Sequence, residues 1–262
     1  MKINEFISTI ETIFPPAYQE SYDNAGIQIY SGNDEIEGCL VTLDVTENVV
    51  EEAYQKKCNL ILSHHPLIFG HGLMRIAEQN YTQRIVSLCI KKGISVYSAH
   101  TNADAVMNGT LLVMCQKLNI NNYKLLKPSE QKPEIFGSGA IGILEKPISS
   151  QEFLYQIKQS FKCPFIRHTQ IISDTVTKIA LCPGSGSFLL NDAIKQKADV
   201  FISGDFTYHK FFDADKKILL VDIGHFESEI GIKQIFNDIV QKKFVNFVVQ
   251  ISEENTNPIK YL

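Results

Sequence analysis

An α/β fold, with mainly parallel or mixed sheets flanked by helices, is predicted by three observations on this 262-residue chain. Short apolar runs rich in β-branched residues alternate with amphipathic stretches along almost the whole length, the pattern of buried strands separated by helices. Unusual polar residues gather just past the C-terminal ends of those runs, where open parallel sheets hold their ligands. The stretch KLLKPSEQKPEI (124–135), with two prolines and mixed charge, breaks the rhythm and marks a lobe boundary. The resulting expectation is one unit over 1–262 made of two intertwined α/β lobes, 1–127 plus 225–262 and 128–224. The site is expected at the strand C-terminal edge between them.

The opening MKINEFISTIETIF has Glu5 and Glu11 inside its apolar pattern, which predicts an amphipathic helix; a secretory signal needs an unbroken apolar core. CLVTLDV (39–45) reads as a strand and ENVVEEAYQKK (47–57) as a helix. That helix has Val49, Val50, Ala53 and Tyr54 on one face and Glu51, Glu52, Gln55 and Lys56 on the other. NLILSHH (59–65) is the next strand, followed by a helix around 79–92, strand ISVYSA (94–99) and helix 109–119. The second half continues with strand 137–145, helix 149–161, strand 176–182, a helix from about 186 to 197, and strands 199–205 and 218–224. A helix beginning near Phe226 and strand VNFVVQIS (244–251) complete the series.

A net charge of -4 and a pI near 6.0 provide no electrostatic footprint for nucleic acid. No stretch approaches the roughly 18 apolar residues of a membrane span. Cys39, Cys58, Cys89, Cys115, Cys163 and Cys182 are scattered, with no C-x-x-C pair, and read as reduced thiols of a cytoplasmic protein.

The chemistry lies at the strand ends. SHHPLIF (63–69) places His64 and His65 where a strand stops, and Pro66 forces a turn there, so that each ring can serve a different metal ion. In SAHTNAD (98–104), Asp104 is a hard oxygen ligand suited to zinc, manganese or iron; equally, Asp104 or Asn108 can cap the next helix. In DIGHFESE (222–229), His225 and Glu229 are four apart and share a helix face, as a metal-binding pair or as a surface pair. Three imidazoles and two carboxylates, with Glu229 bridging, suffice for two divalent ions with positions left open to water. Water so bound has a pKa of about 7 and becomes a nucleophile near neutral pH.

Two accessory features fall at the same edge. The glycine-rich turn CPGSGSFLL (182–190), through Gly184, Ser185, Gly186 and Ser187, is either a phosphate cradle or a plain strand-to-helix turn. In GDFTYHKFFDA (204–214), His209 is four residues from Asp205 and reads either as a general acid or base or as a helix-surface residue. His71 follows the histidine pair as a residue lining the site, and His168 reads as a strand or surface residue.

DNAGIQI (23–29), LDVTENVVEEA (43–53), SHHPLIF, SAHTNAD, ISGDFTYHKFFDA (202–214) and DIGHFESE, in this order, resemble the Nif-three-like family, also labelled GTP cyclohydrolase 1 type 2 homologues. The resemblance implies a dinuclear metal centre held by His64, His65, Asp104, His225 and Glu229. It also implies a ring-shaped homohexamer and, at this length, the short form without the inserted mid-chain domain. The family label implies that a metal-bound hydroxide opens the guanine ring of GTP. Two functions fit: a metal-dependent hydrolase acting on a small nucleotide-like substrate, or a non-catalytic metal-binding, metallochaperone or scaffold protein forming a ring.

Overall fold

The computed structural model describes residues 1–70, 72–132 and 134–262. Its first elements are helix α1 (Ile3–Ile13), strands β1 (Gly26–Ile29) and β2 (Gly38–Thr42), helix α2 (Glu47–Gln55) and strand β3 (Leu60–Ser63). Helix α3 (Tyr81–Lys92), strand β4 (Ser95–Ser98), the single turn α4 (Thr101–Asp104), helix α5 (Thr110–Lys117) and strand β5 (Asn122–Pro128) follow. Next come β6 (Gly137–Ser149), α6 (Ser150–Ser160), β7 (Arg167–His168), β8 (Thr175–Leu181), α7 (Leu190–Lys195) and β9 (Val200–Ser203). The chain closes with β10 (Leu219–Asp222), α8 (His225–Glu229), α9 (Ile232–Lys243) and β11 (Val248–Ile251). None of the described helices is long and apolar enough to cross a membrane.

The fold is mixed α/β, with two multi-stranded sheets, each in its own compact unit. The first unit is residues 1–103 with 232–260, and the second is 104–231 with 261–262. In the first, the strand order is β1-β4-β3-β2-β11. β11, β2, β3 and β4 run parallel to their neighbours and β1 pairs antiparallel with β4. Every residue of β2, β3 and β4 is buried, as their continuous apolar runs require of strands covered on both faces. One face packs Leu40, Ile61 and Val96 against Val49, Val50 and Ala53 of α2 and Ile85, Val86 and Cys89 of α3. Thr46 starts α2 by accepting the Val49 amide at 3.2 Å, and Asn80 starts α3 by accepting that of Gln83 at 3.0 Å.

The second unit has the order β5-β6-β8-β9-β10-β7. β8, β9 and β10 are parallel, whereas β5, β6 and β7 join antiparallel. Period-two alternation sends Val200 and Ile202 into one core with Leu111, Met114, Phe153 and Ile157, and Phe201 into another with Leu190 and Phe206.

The chain crosses between units at 103/104 and 231/232, not at the expected 127/128 and 224/225. The proline-bearing stretch begins inside β5, which pairs with β6 from Asn122↔Ile143 to Pro128↔Gly137. Proline is tolerated there because it closes an edge strand. Leu111, Met114, Leu118 and Leu125 bury themselves in the second unit's core, which assigns α5 and β5 to that unit. β1 and β5 lack the continuous apolar run by which the other strands are recognised.

Candidate metal centre

In the first unit, parallel register builds one group of candidate donors. Thr42, Ser63 and Ser98 lie side by side at the ends of β2, β3 and β4. The residues that follow therefore emerge at one edge, held by His64 N–H to Thr42 O at 3.2 Å, His65 N–H to Leu43 O at 3.0 Å and Ala99 N–H to Ser63 O at 3.0 Å. This brings together His64, His65 and a third histidine, His100, with ring centroids 5.0, 5.3 and 5.4 Å apart. One nitrogen from each lies within 4.8 Å of the other two. His64 is wholly buried.

Each ring is oriented through Nδ1. That of His64 donates to Ala99 O at 2.8 Å, that of His65 meets Asp44 Oδ1 at 2.7 Å, and that of His100 meets Asp23 Oδ1 at 2.7 Å. A ring whose Nδ1 carries the proton presents the lone pair on Nε2, the arrangement that prepares histidine for a metal. Asp44 is steadied by Thr256 Oγ1 at 2.5 Å, and Asp23 by the Thr101 amide at 3.0 Å and the Thr101 hydroxyl. Burial pushes the Asp23 carboxyl up, but the His100 and Thr101 hydrogen bonds, the His100 charge and the Asn24 amide outweigh it and hold the pKa at about 2.

A depressed carboxylate contributes stability above its unfolded pKa of 3.8 and loses it as the pH falls through 2. Asp23→Asn is therefore expected to cost about 2 kcal/mol in urea denaturation at pH 5. The gap to wild type should close between pH 4 and pH 2; a gap that does not change with pH would show that Asp23 acts by packing alone.

The second unit holds its own group of candidate donors. Gly224, at φ 87°, turns the chain from β10 into α8. One helical turn then sets His225 Nε2 3.0 Å from Glu229 Oε2, while Asp205 Oδ2 meets His225 Nδ1 at 2.7 Å. Glu229 is buried. Burial opposes charge on His225, but the hydrogen bonds to Asp205 and Glu229 and their negative charges prevail and raise its pKa to about 11. Without metal, then, His225 is an imidazolium clamped by two carboxylates. Asp104 accepts the Thr110 hydroxyl, and its charge joins that of Glu229 in pushing the buried Cys182 thiol upward, after the larger effect of burial. It does not cap α5, whose N-cap is Gly109 with no side-chain bond.

The glycine-rich turn forms a wall beside Glu229. Gly184 N–H donates to Ser228 Oγ and Gly186 N–H to Ser203 Oγ, both at 2.9 Å, so these two amides are engaged inside the protein. Ser187 opens only a 3₁₀ turn before the six-residue α7. The expected phosphate site at Gly184, Ser185, Gly186 and Ser187 thus loses two of its donors to internal hydroxyls. His209 lies exposed in a 3₁₀ segment against the rings of Tyr208 and Phe212, and belongs to none of the donor groups found among the described residues. His71 lies outside the described residues. The six cysteines are buried free thiols, and burial holds Cys89, Cys115 and Cys163 at about 12, so they do not compete as thiolate ligands.

His100, Asp23, Asp44 and Asp205 stand at these rings without having been given that place by sequence reasoning. Asp44 and Asp205 had a visible signal, since each follows a strand end; Asp23, in a loop before β1, had none beyond its motif. The donor set fits a divalent cation: imidazoles whose Nδ1 is held by an oxygen partner, plus carboxylates of which that of Glu229 is buried.

Fold and donors together define a mixed α/β protein with imidazole and carboxylate clusters at strand C-terminal edges. The chain belongs to the family Duf34/NIF3 (NGG1p interacting factor 3), which it matches over residues 1–258. A "GTP cyclohydrolase 1 type 2 homolog" of Clostridium perfringens is 34% identical over 266 residues, covering 100% of both chains, so neither carries a long insertion absent from the other. A Bacillus cereus protein related to NIF3 superposes with a TM-score of 0.92 at 24% identity, covering 100% of this chain and 99% of that one. The Staphylococcus aureus hypothetical protein SA1388 gives 0.91 at 26% identity, with the same coverage.

Proposed function

We propose that this chain is a metal-binding protein that holds two divalent ions through His64, His65, Asp104, His225 and Glu229, and that it hydrolyses a nucleotide-like substrate. The observation carrying the metal reading is that His64, His65 and His225 each have Nδ1 bound to a carbonyl or carboxylate oxygen, so that Nε2 is the ligand nitrogen. His100 has the same preparation and is added to the set. Divalent ions held by such donors supply Lewis acidity and acidify coordinated water. The chain's own part is to fix the ring tautomers through Ala99, Asp44 and Asp205, and to hold the Glu229 carboxylate against the Gly184 wall. His225 gives up its proton on loading. The resemblance further supports a homohexamer, and the name borne by the Clostridium relative supports GTP as the first substrate to try.

Elemental analysis after gel filtration is expected to find about two equivalents of zinc, manganese or iron per chain, falling in His65→Ala and Glu229→Ala. Absence of bound metal at micromolar supply would sink the reading. Loaded protein incubated with GTP should release formate and a fluorescent pterin. The engaged Gly184 and Gly186 amides, with His209 in none of the donor groups found among the described residues, favour a second reading, in which metal is bound without catalysis. Stoichiometric metal with no turnover across nucleotides and phosphoesters would decide for it.

A further inference from the structure

The sequence YHKFF (208–212) has no part in the metal centre, yet it exposes large rings to solvent: Tyr208 is 70% and Phe212 66% accessible. Their rings meet edge to face with centroids 5.4 Å apart. With Phe211, and with Arg167, His168 and Thr169 from β7, they line a cavity of about 380 Å³. That is within the size range of small-ligand pockets, and exposed aromatic rings lining a hollow mark a place where something binds.

The polar groups show what kind of ligand fits. Arg167 is the one formally charged residue of the lining, and its guanidinium is locked to the buried carboxylate of Asp222 and to Phe206 O at 2.9 Å. It lies over the Phe211 ring, 5.4 Å from its centroid, which makes it a flat stacking surface with its charge neutralised. Asp222 is saturated in turn by the Phe206 and Gly224 amides, each at 3.0 Å. Next to the cavity, beyond Phe212, Lys210 pairs with Asp213 at 3.0 Å and Lys217 with Asp215 at 2.7 Å, so no net positive charge awaits a phosphate there. His168 Nδ1 is bound to Thr169 O at 2.7 Å, which leaves Nε2 as an acceptor at the rim. Flat faces, an acceptor edge and neutral charge suit a planar heteroaromatic ring.

From this we infer that the Arg167, Tyr208, Phe211 and Phe212 cavity binds a nucleobase-sized heteroaromatic ring, recognised by stacking and not by its phosphates. Phe206, which anchors Arg167, directly follows Asp205, whose carboxylate meets His225, so neighbouring residues connect the cavity wall to one of the proposed metal ligands within the same unit. As the substrate-ring subsite, the cavity rests on the reading of a nucleotide-like substrate; as a binding site, it can be tested by itself.

The experiment is calorimetry and saturation-transfer NMR on the full chain, metal-free and zinc-loaded, with guanosine, adenosine and ribose 5-phosphate as probes. A nucleoside is expected to bind saturably in both forms and ribose 5-phosphate in neither. Tyr208→Ala and Phe212→Ala, at exposed positions, should each weaken the nucleoside about tenfold, as loss of one stacking ring does, with bound metal unchanged. Failure of both nucleosides to bind, or equal binding in the variants, overturns the inference. So does a change of assembly mass in the variants with nucleoside binding intact, which would assign these rings to a contact between copies. Nucleoside binding by a wild type that retains no metal would uphold the cavity while the metal reading fails.

Discussion

Replacing Gly184 by valine is expected to cost about 2–4 kcal/mol of stability and to weaken metal binding at least about tenfold. Gly184 has φ +56°, a backbone region that β-branched residues avoid. A Cβ there would lie 2.3 Å from Glu229 Oε1 and 3.2 Å from His225 Cε1, so either the loop or the His225–Glu229 pair must move. The loop is poorly free to move, because the Gly184 amide is bound to Ser228 Oγ, and Gly184 O accepts the Gly204 amide at 2.8 Å and Ser203 Oγ at 3.0 Å. Displacement therefore falls on Glu229 as well. Urea midpoints and metal content measured on the same preparation provide the check. A variant that unfolds earlier but retains its metal would show that the wall supports the fold without positioning Glu229.

Asp205→Asn should reduce metal affinity by about 10–100-fold, the range for losing a group that orients a ligating histidine. It should also change the pH dependence of the metal-free protein. A group whose folded pKa is raised contributes stability that is complete below its unfolded value and is lost as the pH rises through the folded value. For His225 those limits are 6.5 and about 11. Metal-free wild type should thus lose stability from neutral pH upward, by at most about 1.4 kcal/mol per pH unit. The slope will be shallower because the ring is 34% exposed and solvent screens the pair. Metal binding, which displaces that proton, should strengthen over the same window. In Asp205→Asn the slope should diminish and metal uptake should begin at lower pH, because a neutral amide no longer holds the imidazolium. Competition titrations with a chromophoric chelator between pH 6 and 9 measure both effects; a variant with the wild-type affinity and pH profile would refute the orienting role.

Much of the fold was legible in the residue pattern. The runs at 39–45, 59–65 and 94–99 announced buried parallel strands because strands covered on both faces must be apolar throughout. Their ends announced chemistry because polar residues directly after such runs need a reason. His225 and Glu229 were readable as a pair because four residues make one helical turn. What escaped was whatever depended on partners distant in the chain. β1, with its exposed Ile27, and β5, with its lysines, are strands only because β4 and β6 supply their hydrogen bonds. The proline-bearing stretch looked like a boundary because proline is a local signal of interruption, yet pairing with β6 made a strand of it as far as Pro128.

By itself, then, the sequence determined the α/β class, the strand ends where unusual polar residues gather and five candidate metal ligands, since these follow from periodicity, strand ends and helical spacing. Only the tertiary structure decided which residues serve those ligands. Parallel register brought His100 beside His64 and His65, and chain folding carried Asp23, Asp44 and Asp205 to their rings. Tertiary contacts also engaged the amides of the glycine-rich turn, which the sequence had left open to phosphate. Spacing along a chain encodes neighbours one turn or one strand apart, whereas a hydrogen bond between residues 20 or 77 positions apart exists only once the sheets have formed.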